Sequence, residues 1–213
     1  TSDVSSLFNI LTGYSKPPEW KKLAVSPLDM RESFYELINN EIEQVKAGKE
    51  GRIIAKMNAL VDKGIIKRLY QASTQGVEID LIVRGMCCLR PGIEGVSDNI
   101  RVISIVGQLL EHSRIYYFAN GGQPHCYLSS ADWRPRNLDR RVEALFPVEN
   151  EQLKKRVINL LQLTLEDNVK AREQQPDGSY QRVSSNGEEK INSQLKFHQL
   201  AKSRLENLEE EII

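Results

Sequence analysis

The chain alternates between short runs of apolar residues and longer segments with apolar side chains at helical spacing. Residues 52–58 and 77–84 are rich in β-branched and other apolar side chains, a pattern typical of buried strands. Between them, residues 63–74 repeat apolar positions at helical spacing behind Asp62, a residue type that suits a helix N-cap. This order predicts a βαβ unit with two parallel strands.

The pattern that follows predicts an extension of the same sheet. Further strands are predicted at residues 100–106, 115–118, 126–129 and 141–148. The sequence Asn120-Gly121-Gly122 predicts a turn between two of them, and residues 108–111 predict a short helix. The sheet is therefore expected to contain strands on both sides of the βαβ unit.

Two longer segments repeat apolar residues at intervals of three and four, which predicts amphipathic helices that cover the sheet. The first is predicted to begin with Ser26 as N-cap and Pro27 in the first turn, and to end at Gly48. The second spans residues 149–167. Together these elements predict an α/β fold, in which a mixed β-sheet is flanked by helices.

Changes in composition predict three regions. Residues 1–25 lack strong periodicity and contain Gly13 and Pro17-Pro18, so they are expected to connect to an upstream domain. Residues 26–170 form the α/β domain. Residues 171–213 are expected to comprise a polar loop at 174–188 and then a charged helical C-terminal tail from Glu189.

Charge and composition narrow the class of protein. The 213 residues include 40% hydrophobic ones, enough for a core, and 29 basic side chains balance 29 acidic ones. Net charge therefore gives no reason to expect a nucleic-acid partner. The sequence has neither a membrane-length apolar stretch nor a signal peptide pattern, so a cytoplasmic location is expected. Cys87, Cys88 and Cys126 lack C-x-x-C spacing and are interpreted as reduced core thiols.

Polar residues that could carry chemistry lie where loops leave the predicted strands. Arg84 could offer a planar fork of donors to phosphate oxygens, and Gly85 would let the ligand approach the backbone closely. The alternative is that Arg84 forms a surface ion pair. His112 and Arg114 would project to one side of an extended backbone, where they could transfer a proton or phosphoryl group and stabilise its charge. A purely structural histidine is the alternative. Residues 129–141 contain four arginines and suit either a rigid ligand-binding loop or a solvated charged face.

Several blocks of the sequence resemble the polyphosphate kinase family. They are KMNALVD at 56–62, DLIVRGMCCLRPG at 80–92, SDNIR at 97–101, EHSRIYYF at 111–118 and SSADWRPRNLDRRVE at 129–143. The resemblance runs in order from residue 5 to residue 183. Ordered blocks are far more specific than any one of them alone.

The resemblance implies a fold and a place within it. The catalytic domains of this family are similar to the two halves of a phospholipase D-type fold, and each half contributes a histidine motif to one shared site. His112-Ser-Arg114 and the region from Ser130 correspond to the second half. Arg114 stands where phospholipase D relatives typically have lysine, which argues against phosphodiester hydrolysis. The family's phosphorylated histidine belongs to the first half, which no part of this sequence matches.

The resemblance also implies an activity, partners and a cofactor. The expected reaction is reversible transfer of the terminal phosphoryl group of ATP to inorganic polyphosphate, with ADP as the other product. The chain is expected to be a C-terminal fragment, inactive alone, of a homo-oligomeric enzyme. Mg²⁺ is expected, with its ligands mainly in the other half and no metal ligands here. The alternatives are a non-catalytic phosphate-binding or assembly module, and a phospholipase D-type phosphodiesterase acting as a homodimer.

The resemblance and the residue types together define the candidate site. Arg84 and His112 match family positions that contact the nucleotide, and His112 is the candidate acid/base. The catalytic candidates are His112 and Arg114. The ATP- or phosphate-binding candidates are Arg84, His112, Lys56, Asn58, Arg136 and Asn137. Cationic donors around one histidine make chemical sense because phosphoryl transfer depends mainly on positioning and charge neutralisation.

Overall fold

The computed structural model describes residues 2–13, 20–185, 187 and 189–210. Within these residues nine strands form one mixed sheet in the order β1-β7-β6-β5-β2-β3-β4-β8-β9. The strands are β1 (Ala24–Ser26), β2 (Arg52–Met57), β3 (Glu78–Val83), β4 (Ile100–Ile105), β5 (Ile115–Phe118), β6 (His125–Ser129), β7 (Glu143–Pro147), β8 (Ala171–Gln174) and β9 (Tyr180–Arg182). β2, β3 and β4 are parallel neighbours, and the other pairings are antiparallel.

Helices cover both faces of this sheet. They are α1 (Ser2–Leu11), α2 (Met30–Lys46), α3 (Lys63–Thr74), α4 (Pro135–Asp139), α5 (Glu151–Leu165) and α6 (Ser193–Glu210). One buried cluster packs α2 and α3 against the sheet, and a second packs α5 against the opposite face. Because side chains of a strand alternate between faces, Ile53, Ala55 and Met57 of β2 join the first cluster, and Ile54 joins the second. The predicted α/β architecture is confirmed.

The βαβ unit agrees closely with its prediction. α3 has the predicted bounds, and Asp62 caps it through a 3.0 Å hydrogen bond that the Ile65 amide donates to Oδ1. β2 and β3 pair in parallel from Arg52 opposite Glu78 onward. Local pattern and capping chemistry were sufficient here because the whole unit is built from residues close in sequence.

The prediction for the start of α2 is wrong. Ser26 ends β1, where it lies opposite Glu143 of β7, and the helix begins at Met30. The hydroxyl of Ser26 is buried and donates to the carbonyl oxygen of Asn137, 2.5 Å away, instead of capping a helix. A long-range strand pairing therefore overrides the local Ser-Pro signal.

The edges of the molecule also differ from their predictions. Residues 2–11 are helical, residues 108–111 form an irregular loop, and the predicted polar loop after residue 174 contains strand β9. The sheet thus continues beyond residue 170, because β8 pairs with β4 and β9 with β8. The tail helix begins at Ser193, and the Pro17-Pro18 break lies outside the described residues. Cys88 is exposed, so it is not a core thiol, although Cys126 is buried.

Candidate functional site

The carboxyl edge of the parallel strands gathers most of the predicted site residues. Asn58 and Arg84 directly follow β2 and β3, and their segments stay paired through a 2.9 Å hydrogen bond from the Gly85 amide to the Asn58 carbonyl. β5 runs antiparallel to β2, with Ile115 opposite Lys56. The residues just before Ile115, which include His112, therefore lie at the same edge of the sheet.

The Asp132 carboxylate is the centre of the polar network at this edge. Its Oδ1 accepts hydrogen bonds from the backbone and side-chain nitrogens of Asn58, at 2.8 and 3.2 Å. The same oxygen accepts from Nε of Arg114 at 3.1 Å, and Nη2 of Arg114 lies 3.4 Å from Oδ2. Asp132 and Asn58 are both buried. Asn58 therefore serves to hold Asp132, and Asp132 neutralises Arg114.

Core packing fixes the loop that carries Asp132. The next residue, Trp133, is fully buried and stacks on Tyr116, with 4.9 Å between ring centroids. The hydroxyl of Tyr116 donates to the carbonyl oxygen of Ala131 at 2.7 Å. Burial raises the pKa of Tyr116, so its hydroxyl keeps the proton for this bond. Asp132 is thus set on a rigid support before any ligand arrives.

The geometry separates His112 from Arg114. Arg114 turns inward, with 13% of its side chain exposed, and its Nη1 donates to the His112 carbonyl oxygen at 2.9 Å. The His112 side chain is exposed and forms no hydrogen bond within the described part of the chain. Residues 112–114 are not a strand, so the extended backbone assumed for this pair is not present, and the Arg114 guanidinium pairs with Asp132. The Arg114 guanidinium therefore contacts the backbone of His112.

Lys56 supports the same segment from the sheet. Its ammonium lies 2.8 Å from Oε2 of Glu111 and 3.0 Å from Oγ of Ser113, the two residues that flank His112. Only 10% of the Lys56 side chain is exposed. The charge of Lys56 is therefore already paired with Glu111, and the lysine positions the His112 loop.

Arg84 is a cation at this edge whose side chain remains available. Its side chain is half-buried and makes no hydrogen bond or ion pair with any residue that the structure describes. Its backbone is well fixed, because the Arg84 carbonyl accepts from Ser104 Oγ at 3.1 Å. A fixed backbone with an unpaired guanidinium fits a ligand with phosphate oxygens.

The two candidates on α4 differ from one another. Asn137 is buried, and its Nδ2 donates to Oε1 of Glu143 at 2.6 Å, so its amide is committed to packing α4 against the sheet. Arg136 is exposed, and its side chain has no partner among the described residues. The structure thus leaves Arg136 available to an anion and gives Asn137 a structural role.

Sequence reasoning missed three residues of this network: Asp132, Glu111 and Gln194. The sequence could have indicated Asp132, because it is an acidic residue between a strand and an arginine-rich segment and is followed by a tryptophan. Glu111 sits next to His112 and offered a weaker signal. Nothing in the sequence indicated Gln194, which reaches this region from α6.

The described residues do not fit a magnesium site of their own. Within residues 2–13, 20–185, 187 and 189–204, no three His, Cys, Asp or Glu side chains converge as metal ligands. The two carboxylates of the network, Glu111 and Asp132, already pair with Lys56 and Arg114. Hard divalent cations need free oxygen ligands, and these two carboxylates do not supply them.

The fold defines the general class of this protein. A phospholipase D family member, Nuc from Salmonella typhimurium, superposes on 72% of this chain and 97% of its own, with a TM-score of 0.53 and 12% identity. At this identity the likeness shows the fold alone. The chain is an α/β protein of phospholipase D-like fold, with a histidine loop at the carboxyl edge of its parallel strands.

Closer relatives define the family. Residues 23–194 match the family described as polyphosphate kinase C-terminal domain 2, and the chain belongs to this family. A polyphosphate kinase from Bacillus anthracis is 53% identical over 93% of this chain and 28% of its own length. The crystal structure of a polyphosphate kinase from Porphyromonas gingivalis has a TM-score of 0.93 and 42% identity, over 96% of this chain and 32% of that one.

The length of the chain and the character of its helices limit what can be said of its function. The chain spans less than a third of the length of either polyphosphate kinase. Among the described helices, none has both the length and the apolar character that crossing a membrane requires.

Proposed function

We propose that this chain supplies one side of the active site of a polyphosphate kinase, which reversibly transfers the terminal phosphoryl group of ATP to polyphosphate. Membership of the family and the similarity to polyphosphate kinases support this activity. The observation that carries the site assignment is the exposed, unpartnered imidazole of His112 on a loop that Lys56 and Arg114 hold in place.

The chemistry divides between this chain and the rest of the enzyme. The γ-phosphoryl group leaves ATP as its P–O bond to the β-phosphate breaks and a P–N bond forms to a histidine outside this chain. That P–N bond then breaks as the terminal oxygen of polyphosphate forms a new P–O bond. Protonated His112 donates a hydrogen bond or proton to the oxygen that departs with ADP, which lowers the cost of its developing charge.

Each cation at this edge then has its own role. Arg84 binds phosphate oxygens through its unpaired guanidinium, and exposed Arg136 attracts the polyphosphate chain. Arg114 and Lys56 position His112 through its backbone and its neighbours. Mg²⁺, which would neutralise phosphate charge, is expected to be bound by residues outside this chain. The isolated chain is expected to be inactive, because it holds only one side of the site.

Polyphosphate synthesis from ATP by the full-length enzyme that contains this chain tests the proposal. Replacement His112→Ala is expected to lower kcat by about a hundredfold or more, as loss of a general acid does. His125→Ala is the matched control, because His125 is exposed and lies at the opposite edge of the sheet, opposite Phe118 of β5. If both variants retain nearly normal activity in folded protein, the site belongs to a non-catalytic phosphate-binding module.

Assembly is a separate part of the proposal. The full-length enzyme is expected to be a homo-oligomer, which analytical ultracentrifugation of that protein would test. A phosphodiesterase activity is disfavoured, because Arg114 replaces the lysine typical of phospholipase D relatives and its guanidinium pairs with Asp132.

A further inference from the structure

We propose that Gln194, in the first turn of α6, is a positioning residue that sets the loop carrying His112. This inference rests on the proposed role of His112. It assigns a catalytic purpose to the helical tail, which packs against the site from a distant part of the sequence.

Gln194 uses both ends of its amide on this loop. Its Oε1 accepts a hydrogen bond from the Leu109 amide at 3.0 Å, and its Nε2 donates to the Leu109 carbonyl at 2.8 Å. Nε2 also lies 3.1 Å from Oε1 of Glu111. The side chain is buried, so these bonds are protected from water. One glutamine therefore pairs with both backbone groups of Leu109, much as a neighbouring strand would.

Glu111 connects the Gln194–Leu109 pair, which we call the clamp, to the sheet. While one of its carboxylate oxygens accepts from Gln194, the other lies 2.8 Å from the ammonium of Lys56. Lys56 in turn reaches Ser113 at 3.0 Å. The residues on both sides of His112 are thus held by Lys56 of β2, while the His112 imidazole remains exposed.

The apolar side chains of the loop contribute little to its conformation. Val106, Leu109 and Leu110 are 70%, 63% and 77% exposed, so their apolar side chains do not anchor the loop in a core. Residues 106–114 contain neither helix nor strand. The hydrogen bonds of Gln194 therefore hold a segment that has no regular secondary structure of its own.

Gly107 shows how closely the glutamine approaches. A Cβ atom added at Gly107 would lie 2.2 Å from Oε1 of Gln194, which is far inside contact distance. An alanine there would push the amide away from Leu109 without removing any hydrogen-bonding atom. Gly107 is not among the residues with positive φ, so alanine does not strain the backbone.

The position of Gln194 is itself fixed by a buried carboxylate. Asp167, just after α5, accepts hydrogen bonds at Oδ2 from the amide and the hydroxyl of Ser193, at 2.8 and 2.7 Å. Asp167 and Ser193 are both fully buried. The first turn of α6 is therefore rigid enough to hold a catalytic loop in place.

The test compares Gln194→Leu, Gly107→Ala and the double variant in the full-length enzyme, with Gln199→Leu on the exposed face of α6 as control. Both single variants are expected to lower kcat by roughly ten- to a hundredfold with little change in the KM for ATP, because they misplace an acid/base without touching the nucleotide. The double variant should be no worse than Gln194→Leu alone, since both changes break one contact. Gln199→Leu should behave as wild type.

Hydrogen exchange of residues 106–113, followed by mass spectrometry, provides a readout that does not depend on activity. The Leu109 amide should exchange faster in both single variants, while thermal unfolding remains cooperative. If exchange accelerates and kcat does not fall, the positioning role is wrong and the proposed function stands. If neither exchange nor kcat changes, the clamp itself is wrong. If His112→Ala also retains activity, the positioning role and the proposed function fail together.

Discussion

Arg114 and Asp132 form a buried ion pair, with 3.1 Å between Nε of the arginine and Oδ1 of the aspartate. The same guanidinium reaches the carbonyl oxygen of His112 through Nη1. A lysine would not reproduce these separated contacts, because its three donors share one nitrogen instead of forming a planar fork. The pair therefore ties the loop of Asp132 to the segment of the proposed acid/base.

Removing the charge of Asp132 is expected to destabilise the fold. In Asp132→Asn the guanidinium of Arg114 stays buried without a counter-charge, so the free energy of unfolding should fall by about 3 kcal/mol. Urea unfolding of the chain would measure this change. Asp139→Asn is the control, because Asp139 pairs with Arg31 and 47% of its side chain is exposed. That variant should lose less than about 1 kcal/mol. Equal losses would mean that the buried pair is no more important than a surface one.

Arg84 and Arg114 are expected to affect different kinetic constants. Arg84→Ala should raise the KM for ATP roughly tenfold, because it removes charge-assisted hydrogen bonds to phosphate. Arg114→Lys should lower kcat by about tenfold with a nearly unchanged KM, because it loosens His112 without removing a nucleotide contact. Steady-state kinetics of the full-length enzyme would separate the two effects. The opposite assignment of effects would show that Arg114, not Arg84, contacts the nucleotide.

The two neighbours on α4 provide a matched pair for polyphosphate binding. Arg136→Ala should weaken binding at low ionic strength and have less effect at high salt, because exposed charges are screened. Asn137→Ala should leave binding unchanged and reduce the free energy of unfolding by about 1–3 kcal/mol, since it leaves buried Glu143 without its donor. Titration with polyphosphate at two salt concentrations, together with urea unfolding, would check both. A loss of affinity in folded Asn137→Ala would show that Asn137 contributes to polyphosphate binding.

The central part of the fold was predictable because its signals are local. α3 follows from apolar spacing behind Asp62, and the parallel pairing of β2 with β3 follows from the strand–helix–strand order. The edges were not predictable in the same way. Ser26 gave a helix signal, but its pairing with Glu143 across the sheet placed it in a strand.

By itself, the sequence determined the family, the α/β class and the position of Arg84 and His112 next to strands of the sheet. These properties depend on ordered motifs and on periodic patterns that short segments carry. Only the tertiary structure decided which polar groups are free. Arg114 is neutralised by Asp132 and Lys56 by Glu111, and the amide of Asn137 donates its hydrogen bond to Glu143. The physical reason is that a charge buried between segments distant in sequence must find its partner in space, and spacing along the chain does not encode that partner.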